Sequence, residues 1–204
     1  SFEQAEEGVK VNYEGGEIIA EKVLLSMGRR PVTKGYGLEN LGLKTDERGR
    51  ICVDAHMQTS VAGVYACGDI TGVSMLAHTA VREAEVAVHH IINKADEMAY
   101  NAIPGVVYTN PEVASVGFTE EALKREGINY RVSKLPMAYS GRFVAENEGV
   151  NGVCKLLSSE DDTILGAHLL GNPASEIITL AGMAISMKLK AEDWKRMVFP
   201  HPTV

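Results

Sequence analysis

The chain lacks any uninterrupted apolar run of about 18 residues, so no segment reads as a membrane-spanning helix. It is short of positive charge. Lys and Arg number 20 against 27 Asp and Glu, leaving a formal charge of −7. That balance opposes a nucleic-acid or anionic-membrane partner, because either needs a basic footprint. Cysteine is scarce: Cys52, Cys67 and Cys154 are the only three. No two of them stand at C-x-x-C or C-x-x-x-x-C spacing. They read as buried or half-buried thiols, small hydrophobes in effect, in a chain suited to a reducing compartment. No metal site is read from them. The first residues have no secretory-leader pattern, and no repeats or low-complexity tracts occur.

What is present is ordinary globular material. The 204 residues are 45% hydrophobic and 23% charged, enough for one large domain or two small ones. Val9 to Tyr13 alternates, Gly15-Gly16 can turn a hairpin, and Ile18 to Met27 reads as the return strand. Leu38 to Leu43 fits a helical turn, Asp46 to Gly49 a tight turn, and Ile51 to Val53 a short strand. Val64-Tyr65-Ala66-Cys67-Gly68-Asp69-Ile70 reads as a short buried strand ending in a carboxylate. A helix follows over about Leu76 to Asn93, with Ala80, Ala84, Ala87, Val88 and Ile91 at helical spacing. The polar run after Ile92 ends in Pro104-Gly105, as linkers do.

Beyond it the pattern becomes α+β. Strands are expected at Gly105 to Tyr108, Val113 to Phe118 and Tyr130 to Leu135. A strand pair is expected at Val153 to Ser158 and Ile164 to Leu170. Thr119-Glu120-Glu121 fits a helix start and Gly127 its end. Ser140 to Glu146 reads as irregular. A helix from Asn172 to about Leu189 is apolar over much of its surface, and a last short helix covers Ala191 to Met197. A unit of this size with so broad an apolar helix surface calls for a partner.

Two places carry chemistry. Gly68-Asp69 at the end of a strand, followed by a helix start, is where open α/β sheets bind ligands. Helix-start N–H groups there suit polar or anionic groups, although Gly-Asp is equally an ordinary turn. At the other end, Phe199-Pro200-His201-Pro202 sets an imidazole between two prolines that limit its backbone. A positioned histidine is the natural general acid–base at neutral pH; a rigid surface loop is the plainer alternative. Arg29 and Arg30 read as a solvated turn, and His89 and His90 as ordinary helix-face residues.

VYACGDI (Val64 to Ile70) resembles the second flavin-binding motif of the pyridine nucleotide-disulfide oxidoreductase family. MLAHTAVREAE (Met75 to Glu85) resembles that motif's continuation in the dihydrolipoamide dehydrogenase branch. VLLSMGRRP (Val23 to Pro31) resembles the end of the nicotinamide domain and its crossover. IPGVVYTNPEVASVGFTE (Ile103 to Glu120) resembles the start of the interface domain, and FPHPTV (Phe199 to Val204) its catalytic segment. The resemblance covers essentially the whole chain in the family's order.

It implies an α/β remnant of FAD- and NAD-binding domains followed by an α+β interface domain with an antiparallel sheet and flanking helices. The divisions are 1–30 for the end of the nicotinamide-binding domain, 31–98 for the C-terminal part of the FAD-binding domain, and 99–204 for the interface domain. Ser1 stands where Met would, and both ends read as cuts. The chain is therefore expected to be the C-terminal portion only, without the redox disulfide or the first flavin fingerprint. The resemblance further implies that Asp69, with Gly68, binds the flavin ribityl region, and that Met75, Leu76, Ala77 and His78 line the flavin. His201 then serves the dithiol site of the other subunit, oriented by a glutamate two residues beyond Val204. The implied cofactors are FAD and NAD. The implied partners are a second copy through residues 99–204 and dihydrolipoamide on a lipoyl domain of a 2-oxo acid dehydrogenase or glycine cleavage complex. The implied location is the cytoplasm, or the mitochondrial matrix in a eukaryote. Phe199 departs from the branch, where a histidine is common. The alternatives are another flavoprotein disulfide reductase, such as a glutathione-type reductase, and a non-catalytic dimerisation fragment.

Overall fold

Alternation at Val9 to Tyr13 and the two glycines that follow build the first element. In the computed structural model, which describes residues 1–204, Phe2–Ala5 (β1), Gly8–Tyr13 (β2) and Gly16–Ala20 (β3) form an antiparallel meander in chain order. Gly15 takes a φ of 101° at the hairpin tip, a conformation open to glycine and costly for other residues. Lys10 pairs with Glu17 at 2.6 Å on the adjacent strand. The return strand does not reach Met27 as expected. Ala20 pairs with Val9, one residue from the start of β2 at Gly8, so nothing remains for residue 21 onward to bond. Residues 22–33 are irregular, and Leu24 and Met27 are 91% and 90% exposed.

The next stretch is held by single bonds rather than a sheet. Leu38–Leu41 forms the expected turn, a 3-10 one. The Asp46 carboxylate accepts the N–H groups of Arg48 and Arg50, both at 2.9 Å, and closes the turn at Gly49. Isolated bridges join Thr45 to Ile51, Val53 to Thr59 and Gln58 to Tyr65. Val64 to Ile70 is therefore not a buried strand. It has one bridging partner, and Gly68 at φ 80° ends the extension; Gly68–Ile70 is a 3-10 turn with Cys67 and Asp69 exposed.

Helix α1 spans Ala77–Ile91, as its periodicity predicts, but its buried stripe is rotated from the expected one. Thr79, Glu83, Val86 and Ala87 are buried, whereas Val88 and Ile91 are exposed. The supposed linker is also anchored. Asp96 accepts two hydrogen bonds from Arg82, at 2.8 and 2.5 Å, and one from His89 at 2.6 Å.

Residues 1–96 and 97–204 form two compact units, an α/β domain followed by a larger α+β domain. The second is a five-stranded antiparallel sheet in the order β4-β5-β8-β7-β6, from Gly105–Val107 (β4), Val113–Gly117 (β5), Arg131–Pro136 (β6), Val153–Ser158 (β7) and Ile164–Leu170 (β8). Its helices are Glu120–Glu126 (α2), Gly141–Glu146 (α3), Ala174–Ser186 (α4) and Ala191–Lys195 (α5).

The core lies between one sheet face and α4. Ala114 and Val116 of β5, and Ala167 and Leu169 of β8, alternate inward and meet Ala174, Ile178, Ala181 and Ile185, which share a face of α4. Both ends of α2 follow their sequence signals: Thr119 Oγ1 accepts the Ala122 N–H at 3.1 Å, and Gly127 closes the helix at φ 67°. Ser140 to Glu146 is not irregular as expected. Ser140 Oγ accepts the Phe143 N–H and starts α3, whose Phe143 is fully buried.

Gly117 tests the packing of β5 on β8. At φ 77°, a Cβ there would lie 2.3 Å from the Leu165 carbonyl oxygen and 2.7 Å from Ile185 Cδ1. Gly117→Ala should lower unfolding stability by about 3 kcal/mol through left-handed strain plus overpacking. Gly149→Ala, at a similar φ but with open space around it, should cost about 1 kcal/mol; urea titration separates them. Glu120 tests the electrostatics. Its hydrogen bond from Lys155, at 2.9 Å, and a further one from Tyr130 hold its carboxyl below the ordinary range. A carboxylate whose folded value is depressed contributes stability above its unfolded value and loses it as pH falls through the folded one. The contribution should therefore start to vanish below pH 4.5. Glu120→Gln should flatten that part of the melting-temperature profile.

Candidate functional site

The turn Cys67–Thr71 is fixed from every side. The Gly68 N–H donates to Glu83 Oε2 on α1 at 2.5 Å. The Gly68 carbonyl accepts both the Thr71 N–H and the Thr71 hydroxyl, each at 3.0 Å. The Asp69 carbonyl accepts the Gly72 N–H, and the Ile70 carbonyl accepts the Ile51 N–H. What the turn leaves outside is the Asp69 carboxylate, 51% exposed and 3.5 Å from Arg29 Nη1. Arg29 is thus more than a solvated turn residue, since it stands against the carboxylate that the sequence singles out.

The segment Met75 to His78 leads into α1 and forms its first residues. Met75 is half-buried, and Leu76, Ala77 and His78 are exposed. The N-cap position is Leu76, which makes no side-chain capping bond, so α1 begins without the usual polar N-cap. The Ser74 and Thr79 hydroxyls bond at 2.8 Å and fix the approach to the helix. The turn that carries Asp69 is therefore joined at Gly68 to the second turn of α1 through one buried carboxyl group, Glu83. Sequence reasoning missed Glu83 because local pattern reads it as a solvent-facing charge. Its signal is its position, four residues after Thr79 and three before Val86 on the stripe that becomes buried.

A second set of groups lies at the other end of α1. Tyr65 hydroxyl and His90 Nδ1 bond at 2.8 Å, and the His56 and His90 rings stack at 4.6 Å. His89 and His90 are thus not plain face residues; they tie the helix to Asp96 and Tyr65. The cysteines also differ from expectation, because Cys52 and Cys67 are exposed and only Cys154 is half-buried. All three are free thiols. Partial desolvation and the neighbouring Glu83 charge push the Cys67 thiol up, and burial does the same to Cys154. No cluster of three or more His, Cys, Asp or Glu side chains has a metal-binding arrangement.

In the second unit, His201 is exposed, and the chain just after it is tied down at Pro202 and Thr203. The Ser140 hydroxyl donates to the Thr203 carbonyl at 2.8 Å, and Arg142 reaches the Pro202 carbonyl at 3.5 Å while pairing with Glu146. Ser140 therefore both starts α3 and holds the histidine segment, a double use that the sequence does not reveal. Beside it runs a cavity of ≈ 630 Å³, lined by Leu156, Leu169, Ile177, Leu180, Trp194 and Phe199 among others. Along α4, Leu180, Met183 and Met187 remain 43%, 47% and 63% exposed. This is the apolar surface for which the sequence called for a partner.

Residues 103–204 match the family model described as pyridine nucleotide-disulphide oxidoreductase, dimerisation domain, and residues 1–84 match the model described as pyridine nucleotide-disulphide oxidoreductase. The chain is 43% identical to a dihydrolipoyl dehydrogenase of Staphylococcus aureus, covering 100% of this chain and 44% of that protein. It is 43% identical to the mitochondrial dihydrolipoyl dehydrogenase 1 of Arabidopsis thaliana, over 100% of this chain and 41% of that one. Among solved structures, LpdA of Mycobacterium tuberculosis superposes with a TM-score of 0.92 at 24% identity, over 100% of this chain and 45% of that one, and shares the fold. The Cu(II) complex of the HOCl-induced flavoprotein disulfide reductase RclA of Escherichia coli superposes at 0.88 with 26% identity, over 100% and 48%.

The chain thus spans less than half the length of these proteins. The two family matches correct one expectation: the chain is not a C-terminal portion only, because residues 1–84 match an FAD-binding-type domain and precede the dimerisation domain in sequence. The dimerisation match also supports homodimer formation. On these matches, the chain belongs to the pyridine nucleotide-disulphide oxidoreductases.

Proposed function

We propose that the intact protein is a dihydrolipoyl dehydrogenase, oxidising protein-bound dihydrolipoamide and reducing NAD+ by way of FAD. The observation that carries this reading is the Asp69 carboxylate, held outward by a turn whose Gly68 N–H bonds to Glu83 of α1. The residues present fit a flavin cofactor. A carboxylate accepts hydrogen bonds from ribityl hydroxyls, Arg29 offers a cation beside it, and helix-start N–H groups suit the polar edge of the ring. Gly68 leaves the approach narrow, since a Cβ there would meet Ala80 Cβ at 3.4 Å. Met75, Leu76, Ala77 and His78 line the ring in this reading. Residues 1–30 close the nicotinamide-binding domain, 31–98 belong to the FAD-binding domain and 99–204 form the interface. When bound, the flavin supplies a two-electron carrier between thiols and nicotinamide.

His201 does the proton work in this account. Its imidazole accepts a proton from one substrate thiol. The thiolate attacks a protein disulfide, whose S–S bond breaks as a mixed disulfide forms, and the second substrate thiol then displaces the protein sulfur. Two electrons and two protons leave the dithiol. NAD+ gains a hydride, and the remaining proton passes through His201 to solvent. The disulfide involved is not among Cys52, Cys67 and Cys154. The clasp from Ser140 and Arg142 limits the motion of the imidazole, and positioning of this kind lowers the entropy cost of proton transfer. The lipoyl domain of a 2-oxo acid dehydrogenase or glycine cleavage complex is the partner this substrate implies, in the cytoplasm or the mitochondrial matrix. A second reading, a flavoprotein disulfide reductase acting on a different disulfide, is favoured by the likeness to RclA.

Asp69→Ala should weaken FAD binding by the intact protein at least about tenfold, the value of one charge-assisted hydrogen bond; unchanged affinity in a fluorescence titration would contradict the assignment. His201→Gln should keep its flavin yet lose on the order of 10²- to 10⁴-fold in kcat/KM for dihydrolipoamide. A mutant as fast as the parent would remove His201 from the mechanism. Ser140→Ala should cost about 1 kcal/mol through the lost cap and raise amide exchange of residues 201–204. Protection equal to that of the parent would count against the clasp.

A further inference from the structure

Glu83 is a fully buried carboxylate that the proposed mechanism does not use. Burying a charged carboxylate is costly unless strong hydrogen bonds meet it, so its place on the inward stripe of α1 calls for a reason. The nearest apolar residues of that stripe, Val86 and Ala87, show that the position could hold a hydrophobe. Instead, Glu83 takes the Gly68 N–H across 15 residues of chain. Every other bond that fixes the turn comes from a neutral group: the Thr71 N–H and hydroxyl, the Gly72 N–H and the Ile51 N–H. Among these backbone bonds, the one to Glu83 is the only one to a carboxyl side chain and the only one that originates on α1.

We propose that Glu83 is a positioning residue for cofactor binding, setting the spacing and orientation of the Asp69 carboxylate relative to the start of α1 through its bond to the Gly68 N–H. This rests on the reading that Asp69 and Met75 to His78 hold a flavin. The geometry explains why a turn and a helix start must be coupled. The carboxylate meets one part of the ligand and the helix start another, so an error in their separation weakens both contacts. A short charge-assisted bond at the base of the turn restrains that separation better than a neutral one. Gly68 is the residue that permits it, because φ 80° aims the N–H inward while Asp69 points out.

The test is a double-mutant cycle on the intact protein, reading FAD dissociation constants of the apoprotein and the visible circular dichroism of bound flavin. Glu83→Gln keeps a neutral carbonyl acceptor and should weaken FAD binding several-fold, to about tenfold. Glu83→Met removes the acceptor and should weaken it further while changing the flavin dichroism. In an Asp69→Asn background, either substitution should have much less effect, because Glu83 acts through Asp69. Losses that simply add would overturn the proposal, as would parent-like affinity and dichroism in a folded Glu83→Met. If Glu83→Met does not fold, Glu83→Gln decides by the same two readouts, and parent-like behaviour overturns the proposal. An Asp69→Asn protein that binds FAD as tightly as the parent would overturn the reading of Asp69 itself, and this proposal with it.

Discussion

A single buried bond, from the Gly68 N–H to the Glu83 carboxyl group, joins the turn and the helix that make up the candidate site of the first unit. On one side is a turn closed by the Thr71 and Gly72 N–H groups and tied to Ile51. On the other is a 15-residue helix whose apolar stripe supplies the packing. Without that bond, the buried Gly68 amide would lose its carboxyl partner, and an unsatisfied buried donor costs on the order of 1–3 kcal/mol. With it, an exposed carboxylate stands at a fixed place beside a helix start. The second unit is organised differently, by shape. Alternating residues of β5 and β8 meet the small-residue face of α4 in a core that excludes polar groups.

The two units therefore divide the labour by kind of interaction. The first has few paired strands and many side chain-to-backbone bonds, as at Asp46, Thr71 and Glu83. The second has a continuous sheet and leaves an apolar helix surface exposed. The same unit matches the family's dimerisation domain. His201 belongs to this second unit, and Ser140 and Arg142 hold its segment against α3.

Most of the second unit could be read in the sequence, because its signals are local. Thr119 and Gly127 bracket α2, the turn Ser159 to Asp162 separates β7 from β8, and alternation marks the strands. The failures have tertiary causes. Val23 to Met27 is apolar enough for a strand, but β2 offers it no partner. Val64 to Ile70 has the composition of a strand, but a positive φ at Gly68 turns it. Ser140 to Glu146 looks irregular because its cap is a lone serine and its one buried anchor, Phe143, has no periodic company. At the candidate site, Asp69, Gly68 and His201 stand out through their motifs. Glu83 and Ser140 do not, since what each does depends on a group far away in sequence.

Anaerobic titration of the intact protein tests the central claim most directly, following the visible flavin band as dihydrolipoamide and then NAD+ are added. The account predicts that dihydrolipoamide bleaches the band and that NAD+ restores it, as electrons pass from dithiol to nicotinamide. A band that dihydrolipoamide leaves untouched, but that NADH bleaches and another disulfide restores, would contradict it and assign the protein to a different disulfide reductase. A protein without a flavin band would contradict the cofactor reading altogether.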